Sequence, residues 1–243
     1  MTPISLQHRR KPQGAEISVS TDSQIHTDVG RQLDELTLQV GRPLIVSDAD
    51  EVLFAFMASL ERYLNRQDLI FDWSSFALTG NIRRRDDNVA IDADEVRGHL
   101  ATFFARHTED IDPVEGAARS LAMLSDHAQI VVLSNLPLAQ RPARQRALAK
   151  HGMDYPLVAN IGAKGAAVRA LARRVAAPTV FIDDIPRHHS DVRSVAPEVW
   201  CLHFVADQRL ARLLAPAEQC DHRADRWDDA VAAILTFLEK EPS

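Results

Sequence analysis

Five short apolar runs alternate along this chain with stretches whose apolar residues recur every three or four positions. The runs are Pro43–Ser47, Gln129–Leu133, Leu157–Asn160, Thr179–Ile182 and Val199–His203. Each is short and rich in Val, Ile or Leu, which is how a buried strand reads. Strands separated by amphipathic helices need crossovers, and these make the strands parallel and the connections right-handed. The expected architecture is therefore α/β: a doubly wound parallel sheet with helices on both faces. In such sheets ligands gather where the C-terminal ends of the strands emerge.

Those ends carry the polar residues. The first run stops on Asp48-Ala49-Asp50. Extended backbone would place both carboxylates on one side, whereas a sharp turn would give them separate tasks. The second run ends in Ser134-Asn135 and the fourth in Asp183-Asp184, while Lys164 opens the helix after the third. A lysine there opposes the helix dipole at a cost of about 0.3–1 kcal/mol. Taken singly, these features also describe an acidic turn or a solvated lysine. In a parallel sheet all four meet at one edge. Four carboxylates held together repel, and a divalent cation relieves the repulsion. All-oxygen ligation suits Mg²⁺ better than zinc. An anion held between Lys164 and the metal would explain why that residue breaks a local rule.

Between the first and second runs lies a segment of different character. Leu53, Phe56, Met57, Leu60 and Leu64 mark one helix, and Val96, Leu100, Phe103 and Phe104 a second. The irregular stretch between them contains Phe71, Trp73, Phe76, Gly80 and the basic run Arg83-Arg84-Arg85. No strand is read here, so residues 54–111 are expected to form a small helical insert. The aromatics read as its core and the arginines as a solvated face. Residues 42–53 and 112–243 make up the α/β core, with Asp112-Pro113 as a helix start. Residues 1–41 read as a polar tail, basic at His8-Arg9-Arg10-Lys11, leading to a short helix within Val29–Val40. Such a tail is solvated, or lies as an arm on the domain or on a partner subunit.

Composition narrows the classes. The chain has 243 residues, 46% of them hydrophobic, and a net charge of -6, which argues for a sizeable core and against nonspecific nucleic-acid binding. Cys201 and Cys220 cannot form a disulfide framework, so a reduced, cytoplasmic setting is expected. No run is long enough to span a bilayer, and no membrane partner is expected.

In their order along the chain, the motifs resemble those of the haloacid dehalogenase (HAD) superfamily of aspartate-nucleophile phosphotransferases. A strand followed by Asp-x-Asp matches Asp48-Ala49-Asp50, a strand ending in Ser or Thr matches Ser134, a lysine near a helix start matches Lys164, and paired acids after a strand match Asp183-Asp184. The insert sits where that family places a C1-type helical cap, and the interval from Ser134 to Lys164 is too short for a cap at the alternative position. Two places depart from the usual pattern: Val52 stands where many family phosphatases have Thr, and His188 where Asp or Asn is common.

The resemblance implies that Asp48 is the nucleophile and Asp50 the general acid and base. It implies Mg²⁺ held by Asp48, the Asp50 carbonyl and Asp184, with Asp183 in an outer role. Ser134, Asn135 and Lys164 would then bind phosphate. The expected activity is a Mg²⁺-dependent phosphatase acting on a small phosphorylated metabolite through an aspartyl-phosphate. Alternatives are a phosphomutase, another hydrolase of the family, or a catalytically silent binding or regulatory protein. A receiver domain is disfavoured, because its paired acids follow the first strand and its lysine comes last. Assembly into a homo-oligomer is left open.

Overall fold

The computed structural model describes residues 25–240. The basic patch His8–Lys11 therefore lies outside the described residues. In chain order the strands are β1 (Leu44–Ser47), β2 (Leu69–Phe71), β3 (Ile82–Arg84), β4 (Gln129–Ser134), β5 (Leu157–Ala159), β6 (Thr179–Asp183), β7 (Trp200–Phe204) and β8 (His222–Ala224). The helices are α1 (Thr27–Asp34), α2 (Phe56–Asn65), α3 (Ala93–His107), α4 (Ala117–Ser125), α5 (Arg141–Lys150), α6 (Gly165–Val175), α7 (Pro186–Val195), α8 (Gln208–Leu213) and α9 (Trp227–Lys240).

Six strands form one parallel sheet in the order β5-β4-β1-β6-β7-β8. The wholly buried β1 lies in its interior, with Ser47 opposite Val132 on β4 and Ile182 on β6. The pleat then sorts side chains by parity. Leu44 and Val46 face a core layer containing Val29 and Leu33 of α1, Val168 and Leu171 of α6, and Val192 of α7. Ile45 faces the opposite layer, with Leu121 of α4, Leu148 of α5, and Trp227 and Ile234 of α9. Phe54, Leu60 and Phe103 of the insert belong to that same layer, so insert and sheet share one apolar interior.

The structure corrects three readings. The insert contains a two-stranded antiparallel hairpin, with Leu69 opposite Arg84 and Phe71 opposite Ile82. Strands of three residues give too brief an alternation to stand out from irregular chain. Second, the helix expected from Asp112-Pro113 begins only at Ala117, after Gly116 at φ 81°. Pro113 is instead drawn into a β-bridge with Phe54, which ties the far end of the insert back to its start. Third, β8 adds a sixth strand at the sheet edge that its polar sequence concealed. The short helix α1 is part of the fold: Gln32 donates to the Ala159 carbonyl and accepts from its N–H, at 3.1 and 2.8 Å. Among the described residues, no helix is long and apolar enough to cross a membrane.

Candidate active site

Asp48 continues the ladder of β1 by donating its N–H to the Ile182 carbonyl at 2.8 Å. The chain then turns sharply. Glu51 takes a left-handed conformation at φ 60°, uncommon for a residue with a Cβ. Its N–H donates to the Phe54 carbonyl at 2.8 Å, and its carboxylate accepts the Met57 N–H at 2.5 Å, which closes the turn. This turn divides the two aspartates, so that each carboxylate meets a different cation.

Asp48 meets Lys164. The ammonium of this wholly buried lysine lies 2.7 Å from Asp48 Oδ1 and donates to Asp183 Oδ2 at 2.7 Å. Lys164 caps the start of α6, and Gly165 explains how it reaches so deep. A Cβ on Gly165 would lie 2.6 Å from the Asp191 carbonyl oxygen of α7, so only glycine permits this approach of the two helices. Asp183 is further held by the Ile185 N–H at 2.9 Å and by His188 Nδ1 at 2.9 and 3.0 Å from its two oxygens. His188, at the position where the resemblance would put Asp or Asn, thus braces the carboxylate that braces Lys164. Behind it, His189 Nε2 donates to the Asp183 carbonyl at 3.0 Å and His203 Nε2 to the Asp184 carbonyl at 2.9 Å.

Asp50 meets Arg144, whose Nη2 donates to Asp50 Oδ1 at 2.7 Å. Arg144 is wholly buried on α5, with its guanidinium 4.8 Å from the centre of the Phe54 ring. Sequence reasoning missed this residue, because Arg141–Lys150 reads as an ordinary polar helix. It missed Glu51 for a similar reason: a third acid beside two others looks like a charged turn.

The electrostatics follow from burial. Burial lifts the Asp48 carboxyl to about 6; Lys164 opposes the shift, while Asp183 and Asp50 add to it. Asp184 is raised well above the usual range by burial and by the neighbouring Asp183 and Asp48 charges. Burial acts on Asp183 too, but Lys164 and His188 outweigh it and hold that carboxyl far below its ordinary value. Burial works against charge on Lys164, yet Asp183 and Asp48 carry it above its ordinary value. Burial pushes Glu51 up to about 7.

Oxygens of Asp48, Asp183 and Asp184 lie within 4.8 Å of one another, all buried. Such a buried carboxylate cluster suits a hard divalent cation, which would relieve the repulsion among the three groups. Ser134, at the end of β4, is buried, and its hydroxyl has no partner among the described residues. Asn135 is exposed; its amide donates to the Gly162 carbonyl at 2.9 Å and accepts from Asn160 at 2.7 Å, joining two loops at the sheet edge. Asp48, Asp50, Asn135, Lys164, Asp184 and His188 line the polar end of a cavity of about 330 Å³ beneath the insert.

No family profile matches the sequence, and no curated protein does. Solved structures do match in fold. One is a haloacid dehalogenase-like hydrolase from Burkholderia xenovorans, at 14% identity and TM-score 0.56 over 82% of this chain and 99% of that one. Another is a HAD family hydrolase from Deinococcus radiodurans with bound phosphate and sodium, at 15% identity and TM-score 0.56 over 84% and 100%. A third is the L-2-haloacid dehalogenase of Xanthobacter autotrophicus with chloropropionic acid covalently bound, at 14%, TM-score 0.50, over 79% and 98%. The fold is a Rossmann-like α/β sheet with an insert after its first strand and an aspartate–lysine centre at the sheet edge. It is shared with these haloacid dehalogenase-like structures.

Proposed function

We propose that the protein is a phosphatase that cleaves a small phosphate monoester in two steps, with Asp48 as nucleophile. The observation that carries this reading is the Asp48–Lys164 pair at the polar end of the capped cavity, with Asp50 two residues away on its own arginine. In the first step an Asp48 oxygen forms a bond to phosphorus, the ester P–O bond breaks, and the leaving oxygen takes a proton from Asp50. In the second, Asp50 takes a proton from water, the water oxygen bonds to phosphorus, and the acyl-phosphate bond breaks to free Asp48 and inorganic phosphate. Lys164 and Ser134 supply fixed positive charge and a hydroxyl for the phosphoryl oxygens, and Asn135 holds the loop beside them.

The cation this centre fits best is Mg²⁺, which Asp48 and Asp184 would hold with Asp183 behind them. When bound, it supplies positive charge that screens the phosphoryl group from the attacking carboxylate. The Deinococcus hydrolase of similar fold was solved with bound phosphate and sodium, which supports an anion and a cation as ligands of a protein of this fold.

A second reading, hydrolytic dehalogenation, is raised by the L-2-haloacid dehalogenase among the structures of similar fold, and its leaving halide needs no proton. One experiment separates the two: inorganic phosphate and halide release are measured on panels of phosphate monoesters and 2-haloacids, with and without Mg²⁺. Phosphate release that needs Mg²⁺ and vanishes in Asp48→Asn supports the first reading. Halide release alone replaces it with the second, and neither release from a folded protein leaves a binding role.

A further inference from the structure

The insert presents only apolar side chains to the cavity. From α2 come Phe56 and Met57, from the loop between β2 and β3 Phe76, Ala77 and Leu78, and from α3 Leu100 and Phe104. Leu210 of α8 adds to the same wall. Phe56 stacks on Phe104 with ring centres 5.8 Å apart, which fixes one side of it. Phe56, Phe76, Leu78, Leu100 and Phe104 are only partly buried, so apolar surface still faces the opening.

The charges of the insert are directed elsewhere. Arg83 pairs with Asp72, Arg84 with Glu95, and Arg85 donates to Asn65. None of the three lines the cavity. A second anionic group on a ligand, or the hydroxyls of a sugar, would therefore lose water without gaining partners from the insert. A hydrocarbon or aromatic group would lose only its contact with water.

We propose that the ligand of this site joins its anionic head to an apolar group, an aromatic ring or a branched hydrocarbon, seated against Phe56, Phe76, Leu78, Leu100 and Phe104. This rests on the phosphatase reading only for the identity of the head as a phosphoryl group. The head meets Lys164 and the carboxylate cluster, and the apolar group meets the insert. At about 330 Å³ the cavity lies at the small end of ligand sites, which suits one ring rather than an extended chain.

The test compares two primary alkyl phosphates whose leaving alcohols differ in polarity, 2-phenylethyl phosphate and glucose 6-phosphate. With the intact protein and Mg²⁺, kcat/KM for the phenylethyl ester should be higher by about tenfold or more. Equal values, or a preference for the sugar ester, overturn the inference. Titration calorimetry of both esters with Asp48→Asn gives a readout independent of turnover. Tighter binding of the phenylethyl ester supports the inference even if the parent releases no phosphate, in which case the phosphatase reading alone fails. Equal binding, or binding of neither, overturns it. Leu100→Asn should weaken the phenylethyl ester by about fivefold or more and leave inorganic phosphate binding unchanged. An equal effect on both, or on neither, counts against the proposed seat.

Discussion

Arg144 and Asp50, far apart in the chain, are joined by a 2.7 Å hydrogen bond between a guanidinium sealed from solvent and a carboxylate at the cavity wall. Among the described residues the Nε and Nη1 groups of Arg144 have no partner, so Asp50 and the Phe54 ring are the favourable contacts that offset its burial. Arg144→Met removes the charge and keeps most of the volume. It should free the Asp50 carboxylate to rotate and lower kcat by about tenfold or more with little change in KM, as loss of a positioned acid–base group does. Stability should change by no more than about 1–2 kcal/mol, because replacing a poorly satisfied buried cation by an apolar side chain compensates the lost bond. Steady-state kinetics beside urea unfolding measures both. An unchanged kcat would remove Arg144 from the machinery.

Asp48→Asn should reduce turnover by at least about a thousandfold while the protein stays folded, because an amide cannot form the acyl-phosphate. Phosphate release and circular dichroism of the same preparation check this.

Gly165→Ala places a methyl group where the Asp191 carbonyl already sits, at 2.6 Å. The helices α6 and α7 must part, and Lys164 moves with the first of them. The expected loss is about 2–3 kcal/mol of stability, in the range of overpacked cores. Activity should fall even at temperatures where the variant is fully folded, which kinetics at low temperature can measure.

The insert is fastened to the core at Arg209. Its guanidinium lies 3.7 Å from the centre of the Trp73 ring, donates to Glu61 at 2.9 Å, and pairs with Asp207 at 2.7 Å. Arg209→Ala should cost about 1 kcal/mol and speed amide exchange in residues 69–84 more than in β1 or β6. Uniform exchange across insert and core would refute a local fastening.

Asp207 gives the same junction a pH dependence. Partial burial works against its charge, but hydrogen bonds from the Arg209 side chain and backbone outweigh it and hold the carboxyl below its ordinary value of 3.8. The folded state therefore binds this proton less readily than the unfolded chain. The contribution is complete above pH 3.8 and is lost as pH falls below it toward the folded value. Urea midpoints between pH 5 and 2.5 should fall less steeply in Asp207→Asn, which keeps a good cap for α8 but carries no charge.

Much of this was legible in sequence because strand ends and chemistry coincide. The apolar runs stop where their polar residues begin, so Asp48, Ser134 and Asp183 fall at neighbouring strand termini once the sheet is parallel. Lys164 could be singled out because a cation at a helix start is locally unfavourable. What stayed hidden lacked a local signal. Arg144 sits among Arg141, Arg146 and Lys150, and only tertiary packing chooses which arginine is buried. Glu51 needs a left-handed backbone that no neighbouring glycine announces. The hairpin of β2 and β3 and the edge strand β8 are three residues each, below the length at which alternation can be told from chance.

Because Phe54, Leu60 and Phe103 complete the same interior as the sheet, the insert above the cavity has no foundation of its own. Cut out and expressed alone, residues 54–111 would lose the surface on which their helices lean. Substitutions that leave the fold intact are then expected only at the few positions whose atoms face the opening, while their neighbours one helical turn away are bound to the scaffold.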